Sequence, residues 1–170
     1  MSLTGREFWT LVHGMGFGAL FLLAFAGGLA GLYSLKPGLV TAEGVRERML
    51  RLKVGVVTMA IAAWGTVITG TWVVYPWYRA KGPDSAKSIL LANPATKGWH
   101  EFGMEWKEHI AWMSPILATV AAFIVVYYGT NLIRHDRVRR TTMTIFALAF
   151  ATAAVAGALG ALITKTAPVS

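Results

Sequence analysis

Residues 110–133 read IAWMSPILATVAAFIVVYYGTNLI, 24 positions without an Asp, Glu, Lys or Arg. A helix rises ~1.5 Å per residue, so a run of this length can cross the ~30 Å hydrocarbon layer of a bilayer. Three other runs match it: residues 8–35 give 28 such positions, 54–74 give 21 and 141–164 give 24. None alternates apolar and polar side chains as an outer-membrane strand does. The chain therefore reads as all-α, an integral membrane four-helix bundle in a single domain, residues 1–170. Its spans are expected at about 8–33, 54–75, 108–133 and 141–164, with a long loop at 76–107.

The charges that remain set the orientation. Lys36, Arg46, Arg48, Arg51 and Lys53 fall between the first two spans; Arg134, Arg137, Arg139 and Arg140 fall between the last two. Both connections lie on one side of a four-span bundle, and such basic loops mark the cytoplasmic face. The longer stretch 75–108 holds only Arg79, Lys81, Lys87, Lys97 and Lys107. Both termini are thus expected outside with that loop, in a multi-pass protein of the cell's inner membrane. The net charge of +8 is read as lipid anchoring rather than nucleic-acid binding, because it sits beside the spans. The first apolar run exceeds the ~7–15 residues of a signal-peptide core and is read as an uncleaved span. No cysteine is present, which excludes disulfides, thiolate metal centres, iron–sulfur clusters and covalent haem attachment.

Residues 42–53, AEGVRERMLRLK, read as a short helix feeding the second span. That span closes in the interfacial cluster Trp72, Tyr75, Trp77 and Tyr78, where Pro76 is expected to end the helix. Residues 79–98 read as irregular apart from a turn of helix at SAKSILL. Residues 99–109, WHEFGMEWKEH, read as an amphipathic lead-in to the third span, and Pro115 should bend that span.

An imidazole inside a bilayer is costly enough to need a reason. His13 follows Trp9 by four residues and His109 follows Trp106 by three, so both are expected ~5–6 Å deeper than an interfacial tryptophan. The two spans run in the same direction, so the rings are expected to face each other as axial ligands of one b-type haem. Gly14 and Gly16 would let the macrocycle approach the backbone, and Arg79 would pair with its carboxylates. The other spans carry no His, so one haem on the outer side implies electron exchange at that face. An alternative is a divalent metal held by Glu101, Glu105, His109 and His13, or copper at His100 with Met104.

On three features the chain resembles four-helix membrane b-type cytochromes. They are His13 in the first span, VRERMLRLK (45–53) before the second, and KEH (107–109) before the third. In layout it is similar to the bacterial family of copper-resistance D proteins and oxygen-independent protoporphyrinogen oxidases. The resemblance covers the four spans; the aromatic loop 75–108 departs from it. It implies haem binding, and no enzyme chemistry is carried over. The expectation is an electron-transfer subunit of a larger redox complex, more than an independent enzyme, with a quinone or a periplasmic electron carrier as partner. The alternatives are a metal-binding or metal-transporting protein, a subunit without cofactor that serves assembly, and single-histidine ligation of a chlorophyll-type pigment.

Overall fold

The computed structural model describes residues 2–168, and no strand occurs among them. Four of its helices are long and apolar enough to cross a membrane: α1 (Gly5–Ser34), α2 (Glu43–Tyr78), α4 (Trp99–Arg134) and α5 (Asp136–Thr166). A short helix, α3 (Ala86–Ala92), lies in the long loop. Local chemistry starts each of the first three. Thr4 and Glu7 form a reciprocal capping box on α1, with Glu7 N–H donating to Thr4 Oγ1 at 3.2 Å and Thr4 N–H to Glu7 Oε2 at 2.8 Å. Thr41 and Ser85 accept the free amides of Gly44 and Ser88, each at 3.2 Å.

The second span has no separate feeding helix. Residues 43–53 continue straight into it, because Met49 and Leu52 bury one face while Glu47 and Arg51 pair on the other. Nor does Pro76 end α2 at once: the helix runs on to Tyr78. The missing proline amide and its crowding of the Trp72 carbonyl are absorbed in a π-bulge at Gly70–Val74. Pro115 has no N–H to give the Ala111 carbonyl, which is taken by a tighter turn instead, with Ser114 N–H donating to it at 3.1 Å.

The helices alternate in direction, so both termini and the 79–98 loop share one end, here called the outer end after the charge asymmetry. α1 packs against α2, α2 against α4, and α4 against α5; α1 and α5 close the ring more sparsely. α1 and α4 are therefore diagonal partners. The main core lies toward the inner end, around Phe21, Leu32, Met49, Val56, Met59, Ala121, Val125 and Phe146. Gly28 and Gly31 allow close approach there, facing Phe146 and Leu52. At the inner end Arg139, 3% exposed, donates to the Leu35 carbonyl and pairs with Asp136. A smaller cluster of Tyr78, Leu90, Ile163 and Ala167 fixes α3 over the outer end.

Candidate functional site

Irregular backbone gathers at the outer end. α1 has a π-bulge at Val12–Gly16, α2 at Gly70–Val74, and α4 opens with one at Trp99–Met104. Such bulges each insert a residue, turn the following side chains, and occur frequently at functional sites. Here they carry His13 in α1, Gly70 and Trp72 in α2, and His100 in α4.

His13 points into the bundle against α2. Its Nδ1 lies 3.2 Å from Thr69 Oγ1, and the Thr69 hydroxyl proton already goes to the Gly65 carbonyl at 2.7 Å. Thr69 oxygen must therefore accept, so Nδ1 carries the ring proton and Nε2 keeps its lone pair. The ring lies so close to Gly70 that a Cβ there would stand 2.8 Å from Cε1. His109 has the same tautomer by a different route. Its Nδ1–H donates to the Glu105 carbonyl of its own helix at 2.8 Å, and a carbonyl can only accept. The His109 side chain is 70% exposed. It heads the outward stripe of α4 that continues through Met113, Ile116, Val120 and Phe123, all exposed.

The two rings are consequently not brought together. One is inside the bundle against α2 and the other is on the outer surface of the diagonal helix. The other expected site residues also separate. Gly14 and Gly16 face open space. Arg79 is engaged by carboxylates, donating to Glu108 at 2.9 and 3.2 Å and to Glu105 at 3.3 Å, with its guanidinium 5.1 Å from the Tyr75 ring centroid. The hydrogen-bonded Glu108 carboxylate holds the Arg79 guanidinium above its usual value. Glu101 pairs with Lys97 at 2.9 Å. His100, 8% exposed, has Nδ1 2.8 Å from the Tyr78 hydroxyl, while Met104 packs into the cluster beneath α3. Among the described residues no three His, Asp or Glu side chains converge on a point that would hold a metal.

Comparison with known proteins adds no relative: no family model, no curated protein and no solved structure matches the chain.

Two side chains that the spacing argument left aside face inward instead. The Lys107 ammonium end is surrounded by protein, although the residue keeps some exposed surface, and it reaches across to Gly160 on α5. Ser114 is 3% exposed and its hydroxyl has no hydrogen-bond partner. A sequence signal for both existed: Lys107, Ser114 and Ala121 are spaced by sevens, which puts them on the buried face of the helix.

Proposed function

We propose that this chain is a membrane subunit of an electron-transfer complex that holds one b-type haem at its outer face through His109. The membrane is taken to be the inner membrane, on the position of the basic loops. One observation carries the reading. The His109 Nδ1–H is spent on the Glu105 carbonyl, so the lone pair of Nε2, the donor that iron requires, is directed away from the bundle. A hydrogen bond of this kind fixes the tautomer and orientation of a metal-binding imidazole. The exposed stripe below it offers an apolar wall for a macrocycle, and Trp112, one turn on, stands edge-on to Trp72 of α2 at 6.4 Å. A haem held there would supply one-electron redox chemistry.

Any further ligand would have to come from a neighbouring chain or a second copy, since His13 faces α2. A clamp between His13 and His109 of one chain does not fit these positions. A divalent metal has less support, because Glu101, Glu105 and His100 are each committed elsewhere. A reduced-minus-oxidised spectrum of the detergent-extracted assembly tests the proposal. Sharp b-type bands that vanish in His109→Ala and persist in His13→Ala are expected. Bands that survive His109→Ala, or the absence of bands in haem-replete cells, reject it; the latter leaves a subunit serving assembly.

A further inference from the structure

The outer half of α4 turns a polar group toward the bilayer. His109 stands within a span, its side chain is 70% exposed, and Nε2 keeps its lone pair while Nδ1–H is held by the Glu105 carbonyl. Ionisable side chains inside a membrane almost always face protein or a water-filled cavity, because lipid offers them no partner. The face that carries His109 therefore calls for protein against it. The chain's other imidazoles do not cover it: His13 lies against Gly70 of α2, His100 is bonded to Tyr78, and His135 stands against Tyr128 at the inner end.

Below His109 the same face has relief. Met113, Ile116, Val120 and Phe123 stand out from it, and Tyr127 stacks on Phe123 at 6.0 Å and 18°. Beside this ridge α2 and α4 leave a hollow of about 430 Å³, walled by Val57, Ile61, Trp64, Thr119, Phe123 and Val126. Its polar groups are already paired. Trp64 Nε1–H donates to Thr119 Oγ1 at 3.0 Å, and the Thr119 hydroxyl donates to the Pro115 carbonyl at 2.7 Å. The hollow thus has nothing to offer a headgroup and suits an apolar ridge. Phe123, on its rim and 67% exposed, is such a ridge. Ridge and hollow side by side on one face are what a self-complementary two-fold contact requires.

We propose that a second copy of this chain docks on the α4 face, about a two-fold axis along the membrane normal. Insertion gives every copy the same orientation, so two copies that share this face meet at equal depth. Phe123 of each seats in the hollow of the other, and His109 of the second copy supplies the further ligand that the site in one chain lacks. This last step rests on the haem reading above; the interface does not.

Disulfide trapping in membranes tests the interface, since the full chain has no cysteine of its own. Val120→Cys places a thiol on the ridge; Leu23→Cys places one on the diagonal helix α1, at a residue 74% exposed. On mild oxidation Val120→Cys is expected to run mainly as a cross-linked dimer and Leu23→Cys as a monomer. Adding Phe123→Ala to Val120→Cys should abolish the dimer. Coexpression of parent and His109→Ala chains in equal amounts then tests the shared ligand. Only pairs of parent chains carry both rings, so about a quarter of the parent's b-type absorbance should remain, against about half if each chain finds its further ligand elsewhere. Equal trapping at both thiols, none at Val120, or a dimer that survives Phe123→Ala overturns the interface and leaves the face to lipid. Retention of about half the absorbance overturns the shared ligand. Trapping at Val120 without any b-type band rejects the haem reading and upholds the interface.

Discussion

The Arg79 guanidinium donates to both carboxylate oxygens of Glu108, at 2.9 and 3.2 Å, and so ties the last turn of α2 to the opening turns of α4. It is the principal polar fastening across the outer end, and Tyr75 and Glu105 flank it. Because the Arg79 side chain is 33% exposed, solvent screens the pair. Arg79→Gln is expected to cost about 1 kcal/mol, lowering the melting temperature in detergent by ~2–4 °C. The pair raises the arginine's affinity for its proton. Its contribution is therefore complete below the ordinary arginine value and is lost only in strong alkali. The difference between parent and variant should stay level from about pH 7 to about pH 10. A difference that collapses in that range would show that another group controls the contact.

Two glycines of α1 should respond oppositely to the same added methyl. At Gly28 a Cβ would stand 2.7 Å from Cζ and 2.9 Å from Cε1 of Phe146, which is itself fully buried. Gly28→Ala should destabilise by ~1–3 kcal/mol, read as a lower melting temperature. Gly18→Ala meets nothing and should stay within ~0.5 kcal/mol of the parent. Equal losses at both positions would mean that α1 and α5 are closed along their whole length.

The spans were legible because each is an unbroken run without charge, and a membrane helix has no other way to satisfy its backbone. What rotates a side chain within a span was less so. A π-bulge adds one residue, about 100° of turn, and nothing in the composition of Val12–Gly16 marks it. Depth alone made His13 and His109 look like a pair. Rotation separates them: His109 lies five residues from the buried Ser114, about 140° around the helix, whereas Lys107 lies seven away and shares its face. The inward stripe through His13, Phe17, Phe21 and Gly28 could be read from spacing, but its facing partner could not. That partner is fixed by the bundle order, which sets α1 beside α2 and diagonal to α4.

Orientation can be measured directly, since the chain has no cysteine and any introduced thiol reports alone. Asp84 in the long loop and Arg46 near the start of α2 are both exposed, at opposite ends of the bundle. Asp84→Cys should react with an impermeant maleimide on intact cells or spheroplasts. Arg46→Cys should react only after the membrane is opened. The reverse pattern would place the termini inside and move the His109 surface to the cytoplasmic face.

Ser114 is a buried serine whose removal should stabilise the bundle. Its hydroxyl is buried without a partner, and leaving such a group unsatisfied costs ~1–3 kcal/mol. In ligand-free protein Ser114→Ala should therefore raise stability, by about 1 kcal/mol once the small loss of packing is deducted. A melting curve of the variant that lies below the parent's would show that the hydroxyl already has a partner.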